Sequence, residues 1–218
     1  MKGRGPIKAE LNKHHFRVAI FGSARIEPND YAYKQVYRLA ELLGQHGISV
    51  ITGGGPGLMD AANRGNQAGD IAGDVPSIGL NIKLAKEQHP NLYLDIKAEF
   101  DKFSERLDTF LSLANCVVIA PAGGIGTLLE LYFVWQHLQV KYINDMPIIL
   151  IGDMWKGLLT WMKRNPYKRG YMSKDDFHYV YCVKNVTQAF HVIQESYQCY
   201  LLRQPYTCEE YCKFRMRV

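Results

Sequence analysis

Residues 116–130 read CVVIAPAGGIGTLLE, and the fold turns on this stretch. Cys116 to Ala120 form an unbroken apolar run, the pattern of a strand covered on both faces. Gly123, Gly124 and Gly126 interrupt it. From Thr127 the sequence resumes as a segment of helical length, TLLELYFVWQHLQVKY, expected as a helix over residues 127–142. Buried strand, glycine-rich turn and helix, in that order, make half of a parallel βαβ unit. The turn aims backbone N–H groups and a helix dipole at one point, which suits an anion, and the Thr127 hydroxyl adds a donor.

Two further loops have the same character. Residues 17–23, RVAIFGS, are a short apolar run that ends in Gly22-Ser23. Residues 48–52, ISVIT, run directly into Gly53-Gly54-Gly55-Pro56-Gly57. Between them, residues 31–46 carry Val36, Leu39, Ala40 and Leu43 on one helical face, with Asn29-Asp30 as cap and Gly47 as stop. Beyond lie a helix at 58–68, a strand at 77–82, a polar loop at 83–91 and a short strand at 93–96. A helix at 103–114, a strand at 147–151, a helix at 155–163, a strand at 179–183 and a helix at 186–202 complete the pattern. This alternation predicts an α/β, doubly wound, mostly parallel sheet in a single Rossmann-like domain. The organisation expected is a basic arm at 1–16, the nucleotide-binding domain at 17–203, and a tail at 204–218 that packs on the body or on a second subunit. The 127–142 helix is apolar around most of its circumference, so it must be covered on more than one side, either by full burial within the one domain or, the reading favoured, at the interface of a homodimer.

Composition sets outer limits. The 218 residues are 47% hydrophobic and 22% charged, proportions of a globular chain. No apolar run reaches the ~20 residues that span a bilayer, and the basic N-terminus lacks the apolar core of a secretory signal. The net charge is +5, and residues 1–17 hold five cationic side chains against Glu10 alone. That arm reads as a solvated tail, and the near-neutral remainder argues against nucleic acid as the main partner. The five cysteines, Cys116, Cys182, Cys199, Cys208 and Cys212, have no framework spacing, which fits the cytoplasm. Cys208 and Cys212 sit four apart but lack a second ligand pair, so no metal is expected.

The chemistry is expected at the three loops, all at strand C-termini. Neither G-K-[ST] nor G-x-G-x-x-G occurs, so triphosphate hydrolysis and dinucleotide binding are not indicated. Glu130 follows Thr127 by one helical turn, among Leu128, Leu129, Leu131, Tyr132 and Phe133. A carboxylate in such company needs a partner or a purpose. Arg106, among Phe103, Leu107 and Phe110 on the preceding helix, is the natural partner and should hold Glu130 ionised.

Taken together, FGSAR, ITGGGPGLMDAANRGN, SIGLNIKLAKEQ and GGIGTLLE resemble the LOG family over about residues 17–165. These are cytokinin riboside 5′-monophosphate phosphoribohydrolases, often mislabelled lysine decarboxylases. The resemblance implies cleavage of a nucleoside 5′-monophosphate into free base and ribose 5-phosphate, without a cofactor, in a dimer. It places the catalytic pair on Arg106 and Glu130 and the phosphate loop on Gly123, Gly124, Gly126 and Thr127. Gly22, Ser23, Gly53, Gly54 and Gly55 are expected to line the substrate. Two positions depart from the family pattern. Leu107 follows Arg106 where Lys is usual, and Ala122 separates Pro121 from the Gly-Gly pair. A non-catalytic nucleotide sensor on the same fold is the alternative. Lysine decarboxylation is disfavoured, since no lysine stands beside the phosphate loop to hold pyridoxal phosphate.

Overall fold

In a computed structural model, residues 4–84, 89–206 and 214–216 are described. Among them, the strands β1 (Arg17–Phe21), β2 (Ser49–Thr52), β3 (Ile78–Ile82), β4 (Ile96–Phe100), β5 (Cys116–Ile119), β6 (Ile148–Ile151) and β7 (Val180–Val183) form one sheet. The strand order is β4-β3-β2-β1-β5-β6-β7, and every neighbouring pair is parallel. The order reverses between β1 and β5, where Val18 stands opposite Cys116 and Phe21 opposite Ile119. A crevice opens at such a switch point, beyond the strand C-termini.

Alternation along the strands explains the two-faced burial. Val18, Ile20, Val50, Cys116 and Val118 face α2 (Tyr31–Gln45), α3 (Leu58–Gly69) and α7 (Val186–Leu201). Ala19, Phe21, Ile51, Val117 and Ile119 face the opposite layer. That layer holds α1 (Arg4–Leu11), α4 (Phe103–Leu113), α5 (Ile125–Gln139) and α6 (Lys156–Met162). With both faces covered, β5 and β6 carry apolar residues at every position, β1 and β3 carry them at most positions, and β2 carries them at Val50 and Ile51.

Several local expectations need correction. The N-terminal arm is no solvated tail: α1 lies against β4, and Ile7 is buried in the core. Glu10 is fully buried and binds Arg17, whose Nε and Nη2 donate to Oε1 at 3.1 and 2.8 Å. Arg17 also donates to the carbonyls of Glu10, Lys13 and His15, so the chain from 10 to 17 winds around one guanidinium. The fourth strand lies at Ile96–Phe100, later than the expected 93–96, and only Ala98 and Phe100 are buried in it. It is an edge strand, and its exposed Lys97 and Glu99 hide its period-two pattern among charges. Helix α5 begins at Ile125, two residues before the expected start, and ends at Gln139. Asp30 stands at the N-cap of α2, but its carboxylate accepts from the Glu27 N–H instead of capping the helix. Near the C-terminus, Arg215 forms an antiparallel bridge with Tyr181, so this part of the tail packs on the body. Cys208 and Cys212 lie outside the described residues; Cys116, Cys182 and Cys199 are free thiols. No described helix is long and apolar enough to cross a membrane.

Candidate functional site

The turn from β5 into α5 is built as a cradle. Gly124 occupies the N-cap of α5, and its carbonyl accepts from the Leu128 N–H at 3.0 Å. A Cβ on Gly123 would lie 2.6 Å from the Thr127 side chain, so a glycine is needed there for packing. Gly124 and Gly126 differ: a Cβ on either would meet nothing within 4 Å. They present bare backbone to open space, which lets a ligand approach the helix N-terminus closely. Thr127 is buried behind them. The Trp155 indole N–H, donating to the Ala120 carbonyl at 3.0 Å, braces the strand end that carries the turn.

The loop after β1 is tied to this cradle. The Ser23 N–H donates to the Ala122 carbonyl at 2.9 Å, and the Ser23 carbonyl accepts from the Leu58 N–H at 3.0 Å. The Ala122 that departs from the family pattern is thus the residue that joins two of the three loops. Gly22 is required by its neighbours, since a Cβ there would lie 2.8 Å from Leu58 and 3.0 Å from Ala120. Ser23 and Gly22 therefore lie packed between the β5–α5 turn and the start of α3.

In the loop after β2, Gly54 adopts φ +69° and Gly57 φ +70°. A Cβ on Gly54 would lie 2.4 Å from Asn81 Oδ1, and one on Gly53 would lie 3.6 Å from Arg106 Nη1. This loop is held from below by a polar network that sequence reasoning missed. Thr52 Oγ1 donates to Asn63 Oδ1 at 2.6 Å, and Asn63 Nδ2 donates to Ser77 Oγ at 2.8 Å. Asn91 then clamps the loop, its N–H donating to the Gly54 carbonyl at 2.8 Å and its Nδ2 to the Gly55 carbonyl at 3.0 Å. Fully paired buried amides of this kind fix one loop geometry. Their only sequence signal is the ANRGN run on a helix face that is otherwise small and apolar.

Arg106 and Glu130, far apart in sequence, meet beside these loops. Arg106 Nη2 donates to Glu130 Oε1 at 2.8 Å, with both side chains nearly enclosed. The guanidinium lies over the rings of Phe103 and Phe110, 5.6 and 5.7 Å from their centroids. One expectation about this pair is reversed. Burial pushes the Glu130 carboxyl up to about 7, against the downward pull of the Arg106 charge and hydrogen bond. Burial likewise lowers the Arg106 guanidinium, with Glu130 opposing it. Charge proximity alone predicts that Arg106 holds Glu130 below its ordinary range; desolvation is the larger effect. Among the described residues no group of three His, Cys, Asp or Glu side chains could hold a metal ion.

The family model described as "Possible lysine decarboxylase" matches residues 45–193, more than half of the chain. The chain belongs to this family, the LOG family. A pyrimidine/purine nucleotide 5′-monophosphate nucleosidase of Escherichia coli strain K12 is 29% identical over 141 residues, or 62% of this chain. The match covers 30% of that relative, so this LOG-family chain spans about a third of the length of the curated relatives it matches. Solved structures share the fold at lower identity. A molybdenum cofactor carrier protein from Chlamydomonas reinhardtii has a TM-score of 0.61 at 18% identity, over 84% of this chain and 99% of that one. A molybdenum cofactor binding protein from Rippkaea orientalis has a TM-score of 0.60 at 17% identity, over 83% and 96%. DNA processing protein A from Helicobacter pylori has a TM-score of 0.53 at 15% identity, over 85% and 83%. At these identities the likeness is one of fold, and function must be argued from the site.

Proposed function

We propose that this protein hydrolyses the N-glycosidic bond of nucleoside 5′-monophosphates, releasing free base and ribose 5-phosphate. The observation that carries the reading is the buried Arg106–Glu130 pair set beside a glycine cradle open to a ligand. The family membership and the nucleotide named for the E. coli relative support the substrate class. The 5′-phosphate sits on the N–H groups around Gly123, Gly124, Gly126 and Thr127, and its binding energy places the ribose. The C1′–N bond breaks with its electron pair leaving on the base, and C1′ gains oxocarbenium character. Ionised Glu130 stabilises that cation and orients the water whose oxygen bonds to C1′. One proton of that water passes to Glu130 and onward to the departing base, and the other stays on the new C1′ hydroxyl. Arg106 orients Glu130 and contacts the substrate. The bases are ordinary purines and pyrimidines, together with N6-modified adenine of the cytokinin type.

We further propose that the working form is a homodimer in the cytoplasm. Ile125, Leu129 and Tyr132 form an exposed apolar stripe on α5. The deciding experiment measures free base from AMP, GMP, CMP, UMP and an N6-prenylated AMP, with wild type beside Glu130→Gln. Release by wild type and its loss in the variant are expected. Nucleotide binding without release from any of the five would establish the non-catalytic sensor instead, with Leu107 and Ala122 as the first positions to restore.

A further inference from the structure

Two buried polar atoms near the Arg106–Glu130 pair have no partner among the described residues: Arg106 Nε, a donor, and Asn81 Oδ1, an acceptor. Native structures leave few such atoms unpaired, because each was stripped of water without compensation. Arg106 Nη2 is already committed to Glu130, so the Nε–H is a separate, spare donor. Asn81 is a polar interruption in the apolar strand β3, between Leu80 and Ile82. Both side chains border the same buried stretch of backbone, Gly53-Gly54. A Cβ on Gly53 would lie 3.6 Å from Arg106 Nη1, and one on Gly54 would lie 2.4 Å from Asn81 Oδ1. Adjacent Cα atoms are ~3.8 Å apart, so the guanidinium that carries the spare donor and the carboxamide that carries the spare acceptor flank a single dipeptide. A hydroxyl is the smallest group that satisfies both, accepting from one and donating to the other.

We infer that Asn81 Oδ1 and Arg106 Nε hold the 2′-hydroxyl of the bound nucleotide, making the site selective for ribonucleotides over 2′-deoxyribonucleotides. The inference rests on the nucleotide reading above and names a specificity-determining residue for it. The 2′-hydroxyl is chosen because its carbon adjoins the anomeric carbon, the centre that Glu130 serves. A side chain bonded to Glu130 reaches that hydroxyl before the 3′-hydroxyl. Positive φ at Gly54 leaves the space that the Asn81 carboxamide occupies, so the loop and the strand were shaped together.

The test measures binding by calorimetry and base release for AMP and CMP and for their 2′-deoxy counterparts. Wild type, Asn81→Ala and Asn81→Asp are compared. Wild type should bind the ribonucleotide about tenfold more tightly, the value of one hydrogen bond in an enclosed site. Asn81→Ala should abolish the ratio by weakening the ribonucleotide alone, and Asn81→Asp, which keeps an acceptor, should retain it. Should the alanine variant fail to fold, Asn81→Leu fills the same volume without an acceptor and makes the same comparison. A wild-type ratio near one, or a ratio unchanged in Asn81→Ala, overturns the inference. Base release with equal losses on both sugars sinks the 2′-hydroxyl contact and leaves the hydrolase standing. A binding ratio that collapses in Asn81→Ala without any base release supports the contact and sinks the hydrolase. A wild type that binds none of the four overturns both.

Discussion

Burial raises the Glu130 carboxyl to about 7 even though the Arg106 guanidinium lies 2.8 Å away. A group poised there changes charge across the physiological range, which is where a catalytic carboxylate is most sensitive to its surroundings. The proposed chemistry uses the ionised form, so base release should climb between pH 6 and 8 with a midpoint near 7. Replacing Arg106 with Met removes the one influence that lowers the carboxyl, so the midpoint should move to higher pH. The rate at its plateau should also fall, by on the order of 10²-fold, as expected for loss of one charged contact at the reacting centre. A pH–rate profile on both proteins checks this; a flat profile in wild type, or a midpoint moving down in Arg106→Met, would contradict it. Linkage gives a second consequence of the same shift. The native carboxyl holds its proton above the ordinary value of 4.5. Its contribution to stability is therefore present at acid pH and is lost as pH rises through the window from about 4.5 to about 7.

Helices α2 and α3 meet closely through glycines. A Cβ on Gly65 would lie 2.2 Å from the Tyr37 carbonyl oxygen, and one on Gly69 would lie 2.0 Å from that of Glu41. Backbone cannot yield as a side-chain tip can, so Gly65→Ala should cost ~2–3 kcal/mol, in the upper range for overpacking. Gly157, exposed in α6 with nothing within 4 Å of an added methyl, is the control. Gly157→Ala should be neutral or stabilising by up to ~1 kcal/mol. Urea unfolding of the two variants measures both, and equal effects would refute the argument. What was legible at this scale follows from the same physics. Inner strands such as Cys116–Ile119 announced themselves because both their faces are covered, leaving only apolar residues. Strand β4 did not, since one of its faces carries Lys97 and Glu99 into solvent. Arg106 and Glu130 stood out as charges in apolar company. Asn63, Asn81 and Asn91 did not, because an asparagine gains meaning only from what folding sets against it. Helix α1 was hidden for a like reason: its short basic sequence is held by Glu10 reaching Arg17, a contact invisible before the chain closes.

That contact matters to the molecule as a whole, because it fastens the N-terminus to the first strand of the sheet. Burial raises the Glu10 carboxyl, but the hydrogen bonds and charges of Arg17 and Lys13 outweigh it and leave it below 4.5. A lowered carboxylate contributes stability above its unfolded value, and loses it as pH falls through the folded one. Glu10→Ala strands a buried guanidinium, so it should destabilise by ~3–5 kcal/mol at neutral pH. The deficit relative to wild type should shrink in acid, below about 4.5, as wild-type Glu10 is itself protonated; chemical denaturation at pH 7 and pH 3 would show it. On the same layer an apolar surface is left uncovered. Helix α5 buries Leu131, Val134, Trp135 and Leu138 toward the sheet, yet Ile125, Leu129 and Tyr132 point outward at helical spacing. Tyr132 touches Met162 of α6, whose neighbour Trp161 is exposed, so the stripe continues onto a second helix. Contiguous apolar surface of this kind marks an interface, and the stripe starts at the helix turn that forms the cradle. In the homodimer proposed above, a second copy would cover this stripe with the same stripe of its own, across a two-fold axis. Leu129→Arg places a charge in the middle of that proposed contact and should leave the protein monomeric, without unfolding it, where wild type is expected to dimerise. Sedimentation across a concentration series reads the change directly. A wild type that stays monomeric at every concentration would show that this face is covered by something other than a second copy.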